Sequence, residues 1–215
     1  LFTLFKFARV PLIEPQEESR VIPAKKLLAS KVFLTALLLM VCSGAAEQSM
    51  AQWASLFAEK GLGISKTLGD LFGPCLFAIM MGSARTFYGI KGQKINMLNT
   101  LAACSFLCIL SYALAALAPS PVISLMGCAL CGLSVSLMWP GMLSITAAGY
   151  PGGGTAMFAM LAIGGDLGCS VGPWLTGVVA DSSSLNTGLL TGIVFPVIML
   201  IGLLTLNCLL KANNA

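Results

Sequence analysis

The 215-residue chain is 57% hydrophobic and only 9% charged, with a formal net charge of +4 and no histidine. A soluble domain carries about a quarter of its residues as charges, so this composition excludes a water-clothed globule and calls for a surface that faces lipid. The apolar residues fall into blocks of about 20, the length of a membrane-crossing helix, and not into the short alternating segments of an outer-membrane barrel.

The chain starts at Leu1 without the basic region, short apolar core and cleavage site of a signal peptide. The expectation is a segment of a longer protein. Residues 1–31 read as the end of a preceding helix followed by a central cytoplasmic linker. Between 6 and 31, charged residues mix with Pro11, Pro15 and Pro23, and a short amphipathic piece is expected there. A bundle over 32–211 and a cytoplasmic tail over 212–215 complete the division.

Six apolar blocks follow, at about 32–58, 66–87, 95–117, 121–148, 154–180 and 187–210. Turn chemistry separates them: Gly61-Leu62-Gly63, Gly89 to Gly92, Pro119-Ser120-Pro121, Pro151 to Gly154, and Asp181 to Asn186. An even number of spans returns both ends to one side. That side then holds Lys6, Arg9, Arg20, Lys25, Lys26, Lys31, Arg85, Lys91, Lys94 and Lys211, leaving only Lys60 and Lys66 opposite. By the positive-inside rule the richer side is cytoplasmic. The protein is therefore expected in the cytoplasmic membrane, multi-pass, with both ends of this chain in the cytoplasm.

The first block carries Glu47 near its middle, where an ionised carboxylate facing lipid costs several kcal/mol. With Glu47 at 0° and about 100° per residue, Ser43 falls near −40°, Gly44 near 60°, Ser55 near 80°, Gln48 near 100° and Gln52 near 140°. Trp53, near −120°, is off this polar arc. A helix-packing face with a protonated Glu and a face that handles solute or protons both fit. In the second block, Asp70 near the outer interface reads equally as a favourable charge at a helix N-terminus or as a gate residue. In the fourth, Trp139-Pro140-Gly141 is expected to interrupt the helix, either as a plain kink or at a cavity. In the fifth, Asp166 lies within Gly164-Gly165-Asp166-Leu167-Gly168, whose glycines admit another backbone; the alternative is an Asp hydrogen-bonded for structure alone. The third and sixth blocks hold no ionisable Asp, Glu, Lys or Arg in their interiors and look lipid-facing. This correspondence, with Gly69-Asp70-Leu71 echoing Gly165-Asp166-Leu167, suggests an all-α bundle built as a 3+3 inverted repeat.

The eight cysteines lie almost wholly inside apolar blocks. Cys128 and Cys131 form one C-x-x-C, and without a second pair or any histidine they read as packing residues. No metal, cofactor or nucleic-acid partner is expected. The missing histidine also removes the Ser–His and H-E-x-x-H chemistries, and Pro151 to Gly154 lacks the Lys-Ser/Thr of a phosphate loop, so no enzyme is expected.

The run from Gly44 to Trp53, with its G-x-x-E…W pattern, resembles the seventh helix of major facilitator superfamily transporters, in particular fucose-permease-like members. Gly164 to Trp174 resembles the eleventh. Gly82, Arg85, Gly89 and Lys91 resemble the basic loop between the eighth and ninth, although this sequence lacks an acidic residue before the arginine. The resemblance implies twelve helices in two bundles, with the N-terminal six-helix bundle outside this chain, and helices seven and ten lining a cavity. It implies a secondary active transporter of a small solute, a sugar among the classes, moved across the bilayer by alternating access and proton-coupled. Glu47, Gln48, Gln52 and Asp166 are then the solute or proton residues, and Ser43, Gly44, Trp139, Pro140, Asp70 and Arg85 the cavity or gate residues. The alternatives are a complete six-helix substrate-binding subunit of an ATP-driven vitamin uptake system and a membrane scaffold without transport.

Overall fold

The computed structural model describes residues 22–92 and 95–213. The expected stretch 1–21, Lys94 and the last two residues lie outside it. Six helices are long and apolar enough to cross a membrane: α1 (Lys31–Gly61), α2 (Lys66–Lys91), α3 (Met97–Leu117), α4 (Pro121–Gly149), α5 (Gly154–Ser182) and α6 (Leu185–Leu209). The helix that completes α6 runs on to Asn213. All regular structure among the described residues is helical. A short helix, Ala24–Leu28, precedes α1 and buries Leu27 while Lys25 and Lys26 face out.

Capping residues fix where several spans begin. The Ser30 hydroxyl accepts the Phe33 N–H ahead of α1, Asn96 caps α3, and Ser184 caps α6. Pro121 opens α4 at the position where a missing N–H costs nothing. The second span departs from expectation at its far end. The helix continues to Lys91, so Arg85 is a helical residue and not part of a loop. Gly82 and Gly89 do not break it: both are exposed, with nothing within 4 Å of where a side chain would start. Thr86 Oγ1 donates to the Gly82 carbonyl at 2.9 Å within the same turn.

The interruption of α4 also moves. It falls at Ser136–Leu137, one turn before Trp139-Pro140-Gly141, between the helical pieces Pro121–Val135 and Met138–Gly149. Proline has no N–H to give and its ring collides with the carbonyl four residues back. For Pro140 that carbonyl belongs to Ser136.

Packing centres on α1 and α4, whose spans are 61% buried, against 17% for α2 and 28% for α5. Small residues set the approach of α1 to α5. A Cβ at Gly168 would lie 1.9 Å from the Val41 carbonyl oxygen, and one at Gly44 2.2 Å from that of Gly165. Backbones meet this closely in membranes because lipid supplies no hydrophobic drive and contact area must come from close packing. Across the bundle, Tyr112 is fully buried and its hydroxyl donates to the Ala46 carbonyl at 2.7 Å, tying α3 to α1. At one end, the Ser30 and Tyr150 hydroxyls hydrogen-bond and the Ile22 N–H donates to Gly152 at 2.9 Å. At the other, Asn186 Nδ2 donates to the Ala116 carbonyl at 2.9 Å. These contacts put the start of α1 beside the end of α4, and the end of α3 beside the start of α6, as six antiparallel spans require.

Candidate substrate cavity

Four spans line an open cavity of about 460 Å³, with Glu47 and Gln48 from α1, Arg85 from α2, Trp139 and Pro140 from α4, and Asp166 and Cys169 from α5. This volume is in the range of small-molecule sites. Residues from α3 and α6, the spans without interior charges, do not line it. A second hollow, of about 550 Å³, continues along the α1–α5 face past Cys169, which lines both. It is bounded by Gln52, Trp53, Leu56, Ser170, Pro173 and Trp174.

The centre of the first cavity is an ion pair. Arg85 Nη2 lies 3.4 Å from Glu47 Oε2, with the Glu47 side chain 17% exposed and that of Arg85 43% exposed. The guanidinium is held a second time, by Arg85 Nε donating to the Ser136 carbonyl at 3.0 Å. That is the carbonyl Pro140 cannot engage. The proline thus turns a backbone acceptor away from its own helix and toward an arginine two spans earlier. Arginine suits this position because its planar fork donates along fixed directions to two acceptors at once.

The edge of the Trp139 ring abuts Gly165: a Cβ at that glycine would meet it at 2.2 Å. The ring therefore lies against α5 at the residue before Asp166, and both side chains line the same cavity. The Asp166 side chain is exposed to the cavity, while its main-chain carbonyl accepts from Ser170 Oγ at 3.1 Å. In the second hollow, Gln52 Nε2 donates to Gln48 Oε1 at 3.3 Å, linking the two spaces, and Trp53 Nε1 donates to the Pro173 carbonyl at 3.0 Å.

Of the residues singled out from the sequence, the first cavity gathers Glu47, Gln48, Arg85, Trp139, Pro140 and Asp166, and Gln52 joins from the second. Three stand elsewhere. Ser43 is fully buried, with no hydrogen-bond partner for its hydroxyl among the described residues. Gly44 is used up in the α1–α5 contact. Asp70 is exposed and hydrogen-bonds the Ser55 hydroxyl, and it lines neither hollow. Trp53, Cys169 and Trp174 were missed. The wheel set Trp53 off the polar arc, but its indole N–H reaches the Pro173 carbonyl on α5, a contact between two helices that angle counting on one helix does not register.

Six membrane-length helices with a charged, aromatic-lined cavity between four of them define a polytopic membrane protein with room for a small molecule between its spans. Residues 1–173 match the family profile of the Major Facilitator Superfamily, and the chain belongs to that superfamily of transporters. The match reaches the superfamily and no subgroup within it. No curated protein and no solved structure matched the chain.

Proposed function

We propose that the protein is a secondary active transporter that moves a small polar solute across the cytoplasmic membrane by alternating access, with Glu47 carrying the coupling proton. The observation that carries this reading is the Glu47–Arg85 pair inside the cavity, anchored on the Ser136 carbonyl. Alternating access needs a contact between spans that can be made and broken. Protonation of Glu47 removes its attraction for Arg85 and loosens α1 from α2. Arg85 keeps its carbonyl partner throughout, so the pair can re-form. Gln48 and Gln52 offer amide donors and acceptors along the path, and Trp53 and Trp174 offer apolar faces. That combination suits a hydroxylated solute such as a sugar, the class implied by the resemblance.

Two further points belong to the same reading. The spans least buried within this chain, α2 and α5, flank the cavity. Their uncovered faces support a second six-helix bundle, preceding this one, that completes the site. The packing also supports a 3+3 inverted repeat. As α1 packs chiefly on α5, so α4 packs on α2; as α3 packs on α4, so α6 packs on α1. These two pairings map onto each other when the first three spans are exchanged for the last three; the contact of the start of α6 with α5 has no comparable counterpart between α2 and α3 among the described residues.

The test is Glu47→Gln in the full-length protein, reconstituted in proteoliposomes. Gln can donate a hydrogen bond but cannot titrate. Solute counterflow is expected to persist while uptake driven by a pH gradient is lost. A Glu47→Gln protein that responds to the gradient as the parent does would rule Glu47 out as the proton carrier.

A further inference from the structure

We propose that the Asp166 end of the cavity receives a positively charged group of the solute, an ammonium or similar organic cation, between the Asp166 carboxylate and the Trp139 indole. The inference rests on the transporter reading above and narrows its substrate class.

The argument is one of charge. Three ionisable Asp, Glu or Arg side chains line the cavity: Glu47, Arg85 and Asp166. Glu47 and Arg85 form the one ion pair among the described residues, and the Arg85 Nε is committed to Ser136. Asp166 has neither an ion pair nor a side-chain hydrogen bond among the described residues. The described lysines of the spans, Lys31, Lys60, Lys66 and Lys91, lie at or next to span ends and line neither hollow. Among the described residues, Asp166 is thus the one cavity carboxylate without a countercharge, and at membrane depth an unmatched charge is expensive. An anionic solute would meet Asp166 and find Arg85 already engaged. A plain sugar, being neutral, would leave the carboxylate unmatched, whereas a hydroxylated solute that also bears an amine would not. A cationic group fills the gap.

The aromatic ring is the second, independent observation. Trp139 lies where any side chain at Gly165 would stand, so the glycine next to Asp166 is the condition for an indole beside the carboxylate. Tryptophan is the strongest of the cation–π partners. A carboxylate and an indole facing one space form a recognition site for an ammonium, and the remaining cavity toward Gln48 has room for a polar body.

Cys169 reports on this directly, because it lines both hollows and is partly exposed. In the full-length protein with all other cysteines replaced, we would compare its reaction rates with two methanethiosulfonates, one bearing a trimethylammonium and one a sulfonate. Each rate is normalised to that of the same reagent with 2-mercaptoethanol. The cationic reagent is expected to be favoured by roughly tenfold or more, the scale of local focusing by a charged cleft. Asp166→Asn should remove most of the preference and Asp166→Glu should keep it. Millimolar tetramethylammonium should slow the reaction several-fold in the parent, and sodium acetate should not. A normalised ratio near or below one overturns the proposal. So does a preference unchanged in Asp166→Asn, equal or absent slowing by the two salts, or a Cys169 that reacts with neither reagent. Loss of all solute uptake with the ratio intact would count against the transporter reading and leave the cation site standing.

Discussion

Arg85 gains its meaning from a residue on another helix. A proline in a membrane span can act as a hinge, as an isolated kink, or as the source of a free carbonyl. The 3.0 Å bond from Arg85 Nε to Ser136, four residues before Pro140, favours the third. Pro140→Ala should return that carbonyl to its own helix and leave Arg85 with Glu47 alone. The expected outcome is a protein at least as stable as the parent whose solute uptake falls about tenfold, a loss equivalent to about 1.4 kcal/mol of misplaced interaction. Arg85→Lys should produce a similar loss, because one ammonium cannot hold both partners in the guanidinium geometry. If both changes act through one contact, the double variant should be little worse than either single one, since residues in one network are not additive. Uptake rates measured across this four-member cycle decide it: multiplicative losses would separate the proline from the arginine.

At the scale of whole elements, the glycines divide into two kinds that look alike in the sequence. Gly168 is pressed against the Val41 carbonyl, whereas nothing in this bundle lies within 4 Å of where a side chain at Gly82 would start. Gly168→Ala must push two spans apart and should destabilise by about 1–3 kcal/mol, as overpacking does. Gly82→Ala should stabilise by up to about 1 kcal/mol, because it removes backbone freedom from the unfolded chain without a clash. Thermal unfolding in detergent should therefore show shifts of opposite sign, and a shift of the same sign in both would undo the assignment of the α1–α5 contact.

The same division explains what could be read without coordinates. Span number and most span ends were legible, because apolar length and turn residues are local properties. The inward acids Glu47 and Asp166 were legible because charge at membrane depth has few affordable places. The end of α2 was set a turn early because Gly89 to Gly92 look like a turn signal, although Gly89, on an open helix face, breaks nothing. Ser43 and Gly44 were assigned to the cavity by polarity and size, while packing uses them as small residues. Trp139 above Gly165 and the Ser136 acceptor for Arg85 depend on how separate helices meet, which no single-helix pattern encodes.

For the molecule as a whole, the remaining question is which way it faces. Six spans, with Ser30 joined to Tyr150 at one end and Asn186 joined to Ala116 at the other, keep the α2–α3 connection on the side where α1 begins. Moving Arg85 out of the loops and into the cavity changes the charge tally but not its direction. Among the described residues, Lys60 and Lys66 stand at one end of the bundle and Lys25, Lys26, Lys31 and Lys91 at the other. Basic loops are retained in the cytoplasm during insertion. Position 94 should therefore be cytoplasmic and position 183 should face the other side of the membrane. Single cysteines placed at these two positions in a cysteine-free background give the measurement. A membrane-impermeant maleimide applied to intact cells should label position 183 and should reach position 94 only after permeabilisation. Labelling of position 94 in intact cells, with position 183 protected, would invert the orientation. The Ser30–Tyr150 end of the bundle would then open to the outside, and under the proposed coupling the proton for Glu47 would enter from the opposite face.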